Sequence, residues 1–290
     1  ETLVQKITCT EDPRMLRALR FQAAELSSEK LGQLADAAER LRQILAAAPD
    51  DIDALDMLAS IYSREKRHAE LVEVLDQRAQ RTATPAERDA LLFQAAHVTE
   101  HELLDLRDAI TRYRRILEGN PAHAESRAAL WALARGEDCR LQALDALEPL
   151  LRLGQEWQPL TECLELRLSV SDVPAERLDV LADIAQVEES ALGNRPAAFA
   201  TWARALAEDP ASADAAANLE RLAGETLNFT GLAEVYEERL KAVYDGELQL
   251  KLASRLAEIY EQTLPKPERA LELWREVEGL PGGEALALAR

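Results

Sequence analysis

Phe21-Gln22-Ala23-Ala24 recurs as Phe93-Gln94-Ala95-Ala96, and the same 72-residue shift, from 21 to 93, carries Asp36-Ala37 onto Asp108-Ala109, Ile44-Leu45 onto Ile116-Leu117 and Pro49 onto Pro121. A chain that matches itself at a fixed offset is built from units that cannot bury their apolar faces alone and must stack on their neighbours. The expected product is an array with a long surface, and the work that suits it is binding along that surface.

The repetition continues with one interruption. Pro85-Ala86-Glu87-Arg88 returns as Pro174-Ala175-Glu176-Arg177, and this longer shift, 89 residues from 85 to 174, takes Tyr113 to Trp202, Leu117 to Leu206 and Pro121 to Pro210. The difference between shifts of 89 and 72 is a 17-residue insertion. A final shift of 72 places Ala198 on Ala270 and Trp202 on Trp274. Four copies are therefore expected, at 13–84, 85–173 with an extra helix near 138–153, 174–245, and 246–290, the last one incomplete, all within a single domain, 1–290.

Inside each copy the apolar spacing is helical. In 90–121, Leu92, Phe93 and Ala96, then Ala109, Tyr113, Ile116 and Leu117, fall at the i, i+3, i+4, i+7 spacing of a buried stripe. Thr84-Pro85-Ala86-Glu87 reads as a capping box with proline at the first helical position. Asn120-Pro121 and Asp209-Pro210 punctuate helix ends, because the residue before proline is pushed out of the helical region. No stretch shows sustained two-residue alternation bounded by turn residues, so strands are not expected.

These residues resemble the tetratricopeptide repeat, a helix–turn–helix unit of about 34 residues. Phe93, Ala96, Ala109, Tyr113, Ile116, Leu117 and Pro121 fill its characteristic places in one unit. Phe21, Ala24, Ala37, Leu41, Ile44, Leu45 and Pro49 fill them in another, and Ala185, Ala198, Trp202, Ala205, Leu206 and Pro210 in a third. Each copy looks like two such repeats in tandem. The resemblance implies an all-α, right-handed solenoid of seven or eight helix pairs that binds a protein or peptide and catalyses nothing.

The second repeat of each copy departs from that pattern, with Leu71 where alanine is usual. Its relatives are one another: His68, Leu71, Leu75, Arg78 and Ala79 align with Trp157, Leu160, Leu164, Arg167 and Leu168, and with Phe229, Leu232, Tyr236, Arg239 and Leu240. The recurrent arginine is either a partner contact or, in the preferred reading, a side chain whose stem covers apolar neighbours at the edge of a helix stripe.

The resemblance also implies where a partner would sit. In such arrays the first helix of each repeat lines the inner, concave groove, and the positions concerned carry over to Gln22, Asp56, Ser60, Arg64, Gln94, Val98, His101, Arg135, Asp183 and Arg255. The set is mixed in charge and lacks a basic cluster for an acidic carboxyl-terminal peptide. A second stripe, Leu19, Ala23 and Leu26, recurs as Leu91, Ala95 and Val98, as Val180, Ile184 and Val187, and as Leu252, Leu256 and Ile259. It either packs adjacent repeats together or lines an apolar groove for a peptide. The insertion, 136–155 with Leu141, Leu144, Leu147, Leu150 and Leu151, either packs as one more helix or offers a docking edge.

Composition narrows the partner. A net charge of −19 and a pI near 4.7 give a surface that repels phosphate backbones and anionic headgroups, so nucleic acid is disfavoured and a basic or neutral protein fits better. The acidity equally serves solubility. No run of 18 apolar residues occurs, so no segment inserts in a membrane. Cys9, Cys139 and Cys163 lack the clustering of a disulfide framework or zinc site, which points to a reduced, cytoplasmic setting. Six lysines against 28 arginines, with abundant alanine and leucine, suggest a GC-rich bacterial genome. A chain starting at Glu1 also suits a segment of a larger multidomain protein that acts as a spacer or self-associates.

One motif has a catalytic look. His97-Val98-Thr99-Glu100-His101 matches H-x-x-E-H, in which two histidines one helical turn apart hold zinc and the glutamate acts as general base. Against a zinc metallopeptidase, His97 aligns with Glu25, Gln186 and Glu258, and His101 with Glu29, Ser190 and Gln262. The expectation is a plain helix face, with no metal and no cofactor.

Overall fold

The computed structural model describes residues 2–284, which form α-helices and connecting turns, with no β-strand among them. The chain divides into two compact units, Glu1–Leu150 and Leu151–Arg290. In the first, α1 (Thr2–Thr8) precedes α2 (Pro13–Glu29), α3 (Leu34–Ala47), α4 (Ile52–Arg64), α5 (His68–Arg81), α6 (Pro85–His101), α7 (Leu106–Gly119) and α8 (Ala124–Arg135). From α1 to α8 each helix packs on the next in chain order. Helix α9 (Arg140–Leu153) contains the division and occupies the inserted segment.

The second unit continues with α10 (Trp157–Val170), α11 (Pro174–Gln186), α12 (Arg195–Glu208), α13 (Ala213–Thr226), α14 (Phe229–Ala242), α15 (Gly246–Gln262) and α16 (Pro267–Glu278). Here too consecutive helices pack, and α11 ends in a π-helical turn, Val187–Ala191.

The turns keep the register that the sequence repeats announce. Six of the helices that open a pair are followed within three residues by one of left-handed backbone: Gly32 (φ 64°), Lys66 (57°), Leu104 (56°), Gln155 (54°), Gly193 (63°) and Leu227 (57°). From 32 to 104 is 72 residues, from 66 to 155 is 89 and from 155 to 227 is 72. Glycine takes this conformation at no steric cost, whereas an L side chain there costs about 1–2 kcal/mol. The same carbonyl-capping bonds recur at these ends, with the N–H of Leu31, Leu103, Leu192 and Leu264 donating to the carbonyls of Leu26, Val98, Val187 and Ile259. At the fourth of these the left-handed residue is replaced by Pro265, whose ring fixes φ negative.

Helix starts repeat as well. Asp51, His123 and Ser212 stand at equivalent N-caps and accept from the backbone N–H three residues on, in Ala54, Ser126 and Ala215. An N-cap oxygen or nitrogen satisfies one of the donors that every helix start leaves unpaired, worth about 1 kcal/mol.

The interior lies between paired helices. Ala37, Ala109 and Ala198 are fully buried and Ala270 nearly so, which lets the second helix of a pair approach the first closely. In the alternate repeats Leu71, Leu160 and Leu232 fill the matching place, all buried. In the first unit one apolar cluster runs through Ala24, Ala37, Leu41, Leu55, Leu58, Tyr62, Leu71, Leu75 and Ala95, with Phe21, Leu91 and Val98 packed against it. At about 1.5–3 kcal/mol for each large side chain taken fully from water, this burial is the dominant stabilising term. The stripe at Ala95, Ile184, Val187, Leu252 and Leu256 is buried in the same way and so serves the packing between helices.

Candidate interaction face

The ten residues marked out by the resemblance lie mostly on exposed helix surface. Counted back from the residue after each first helix, Gln22, Asp56 and Gln94 in the first unit stand ten residues before Gly32, Lys66 and Leu104; Asp183 and Arg255 in the second stand ten before Gly193 and Pro265. All of them are exposed except Asp183, which is half-buried. Ser60, Arg64, His101 and Arg135 are exposed, and Val98 is half-buried against the apolar cluster.

Several of the ten are already engaged within the chain. Asp56 Oδ1 accepts from Arg78 Nε at 2.8 Å. Arg64 donates to Ser28 Oγ at 3.0 Å, the Arg135 guanidinium stacks over the Trp131 ring, and Asp183 accepts from Arg152 at 2.9 Å. Arg255 grips both oxygens of Glu220 at 2.7 and 2.6 Å and also reaches Glu258 at 2.9 Å. Gln22, Ser60 and Gln94 hold no side-chain partner among the described residues.

Arg78 does more than cover apolar neighbours. Its stem is buried, and its head bridges Asp56 on α4 and Glu87 on α6 while donating to Thr82 Oγ1. Arginine repeatedly joins a helix to its counterpart one repeat away. In the first unit Arg17 on α2 binds Asp51 and Asp53 at the start of α4, and Arg112 on α7 binds Asp76 on α5. In the second unit Arg204 on α12 binds Glu165 on α10, Arg221 on α13 binds Glu189, and Arg269 on α16 reaches Glu237 on α14.

The guanidinium fork suits this task because it can take both carboxylate oxygens at once, as Arg204, Arg221 and Arg255 do. Hydrogen bonds from Arg221 and Arg177 hold the carboxyls of Glu189 and Glu208 below their usual range. Burial alone would raise Glu220, but the hydrogen bonds from Arg255 and Tyr236 outweigh it and the net shift is downward. The sequence signal for these bridges, arginine one repeat length from an acid, lies in the chain but is diluted by 53 acidic residues.

The H-x-x-E-H residues separate on the helix. Glu100 Oε2 accepts from the hydroxyl of fully buried Tyr113 at 2.7 Å, and burial followed by this carboxylate pushes the phenol's pKa upward. His97 and His101 are both exposed, with rings stacked at 4.1 Å. No group of three or more His, Cys, Asp or Glu placed to hold a metal occurs among the described residues. Trp202, at the place of Tyr113 one copy on, is buried, and its indole N–H has no hydrogen-bond partner among the described residues.

An open groove of about 380 Å³ lies among α14, α15 and α16, lined by Glu237, Lys241, Ala253, Arg269 and Leu280 among others. Arg269 and Glu237 face each other at 3.4 Å, so its charges answer one another. No helix among the described residues is long and apolar enough to cross a membrane.

With Ala24, Ala37, Ala109 and Ala198, Tyr113 and Trp202, and Leu41, Leu117 and Leu206 all buried and the turns in register, each unit is an all-α array of helix pairs similar in pattern to tetratricopeptide repeats. Similar solved structures include a tetratricopeptide repeat protein from Parabacteroides merdae, 16% identical, covering 94% of this chain and 96% of that one, with a TM-score of 0.31. They also include the MamA protein, 18% identical, covering 67% of this chain and 92% of that one, with a TM-score of 0.29. No family model and no curated protein matches the sequence.

Proposed function

We propose that the chain is a non-catalytic protein-interaction array whose first helices present a docking face for a basic or neutral peptide or protein. The observation that carries this reading is the set Gln22, Ser60 and Gln94 on α2, α4 and α6, with Ser60 one turn past the register of the two glutamines. These side chains are exposed and uncommitted, while the helices beneath them are fixed side by side. Arg17 to Asp53 and Arg64 to Ser28 join α2 to α4, and Arg78 joins α4 to α6 through Asp56 and Glu87. Arg17 and Arg78 neutralise Asp53 and Glu87, but exposed Glu25 and Glu29 on α2 and the net charge of −19 leave a negative field that would steer a basic segment toward this face.

The pull-down bait is the full chain, compared with the triple variant Gln22→Arg, Ser60→Arg, Gln94→Arg. These surface changes leave the core intact, which circular dichroism checks. A specific protein retained from native extract by the unchanged chain and lost with the variant supports the reading. Retention of the same proteins by both chains, or of none by either, overturns it. Self-association and a spacer role within a longer protein predict a mass in solution or a neighbour dependence that the triple variant leaves unchanged.

A further inference from the structure

Two of the four histidines of the chain stand exposed one turn apart on α6, the i, i+4 spacing from which two imidazoles can reach one ion. The rings of His97 and His101 are 4.1 Å apart between centroids and inclined by 12°, so the two side chains lie side by side over the same patch of surface. His101 Nδ1 lies 3.2 Å from the backbone carbonyl of His97. The same Nδ1 is 3.8 Å from Glu100 Oε2; with the proton on Nδ1 it donates to the carbonyl, and Nε2 keeps its lone pair. Histidines that bind metal characteristically donate their other ring nitrogen to a carbonyl or carboxylate, and His101 already has such a contact. Two nitrogens bound to one ion at ~2.1 Å lie about 3 Å apart with their lone pairs converging on it, so the stacked rings must swing apart at χ1 and χ2, a motion open to two exposed side chains.

We propose that His97 and His101 chelate one borderline divalent transition-metal ion through their Nε2 atoms, with affinities in the order Cu(II), then Ni(II) and Zn(II), and that water or a partner's side chain completes the shell. Imidazole selects these ions over Mg(II) and Ca(II), which prefer oxygen donors. The site is not that of a peptidase. Glu100 is turned toward Tyr113 at 2.7 Å, and no third ligand from the described residues joins the pair. The other two histidines do not compete for this role. His123 caps α8 through Nδ1 at 3.2 Å from the Ser126 N–H, and His68 Nε2 lies 3.5 Å from Glu102.

The test is titration of the full, metal-free chain with Cu(II), in buffer holding excess Mg(II) to occupy the acidic surface. The expected result is one ion per chain, with affinity lowered about 10–100-fold or more in both His97→Gln and His101→Gln, and unchanged in Glu100→Gln and His68→Gln. A gain-of-site variant keeps the proposal exposed to failure. Glu25 and Glu29 are the equivalents of the pair on α2 and are both exposed, so Glu25→His with Glu29→His should raise the stoichiometry to two. Equal binding by the unchanged chain and His101→Gln, or loss of binding in Glu100→Gln as great as in His101→Gln, overturns it.

Discussion

Arg17 and Asp51 meet through two hydrogen bonds, Nε to Oδ2 at 2.6 Å and Nη2 to Oδ1 at 2.7 Å, while Oδ1 also caps α4 by accepting from the Ala54 N–H at 3.1 Å. One carboxylate thus starts a helix and ties that helix to the previous repeat. Replacing Asp51 with alanine removes both functions and should cost about 2 kcal/mol, of which about 1 belongs to the cap. Asp51→Ser keeps a capping oxygen and should recover roughly half of the loss, whereas Arg17→Ala leaves the cap and should cost about 0.5–1 kcal/mol, since the guanidinium is partly exposed. Urea denaturation of the three variants separates the two functions.

The same residue sets an acid limit. The Arg17 hydrogen bond, against the opposing effect of burial, holds Asp51 below its ordinary carboxylate range. Its contribution is therefore complete above a pH of about 4, the unfolded value, and is lost as pH falls through the lower folded value. Glu189, Glu208 and Glu220 shift in the same direction for the same reason. Melting temperature should fall steeply below pH 4, and the fall should be shallower in Asp51→Asn, which no longer titrates there.

Leu104 occupies left-handed backbone at φ 56° with its side chain 75% exposed, in the register where Gly32 and Gly193 stand. It contributes little packing and keeps the steric cost. Leu104→Gly should raise stability by about 0.5–1 kcal/mol, the relief of strain exceeding glycine's extra unfolded-state entropy. Gly193→Ala should lower it by about 1 kcal/mol although nothing lies within 4 Å of the added methyl, because the penalty there is conformational. Thermal melts of both variants check the sign.

How much of this was legible beforehand follows from what repeats. Phe21, Phe93, Ala37, Ala109 and Trp202 mark positions where packing admits few residue types, so the helix pairs and their 72-residue register could be read directly. The left-handed turns were hidden because leucine, lysine and glutamine hold four of the six places, and no residue preference announces them. The face was legible only as a register. That Asp56, Arg64 and Arg255 spend their charge inside the chain depends on partners 22–36 residues away, which helical spacing does not encode.

Tyrosine supplies an alkaline limit. Tyr113, Tyr236 and Tyr260 each donate to a glutamate, at 2.7, 2.9 and 3.0 Å, and burial together with that negative charge raises all three phenols. A raised folded value means that the contribution is complete below the unfolded value of about 10 and is lost as pH climbs toward the folded one. The chain should unfold cooperatively above pH 10, with ultraviolet absorbance at the phenolate band rising at the same pH as helicity falls. Tyr113→Phe should cost about 1–1.5 kcal/mol at pH 7 and make the alkaline transition less steep.

The alternation of small and large residues at one place in the second helices yields opposed substitutions with the same sign. Ala109 is fully buried where α7 meets α6, and leucine there would have to force the helices apart or adopt strained rotamers, at a cost of about 1–3 kcal/mol. Leu71 fills the matching place on α5, buried within the core cluster, and alanine there would leave a cavity costing about 2–4 kcal/mol. If the two kinds of repeat were interchangeable, each variant would merely imitate its neighbour and be tolerated. Both should instead destabilise in urea, because the spacing of each helix pair has been set by the side chain it encloses.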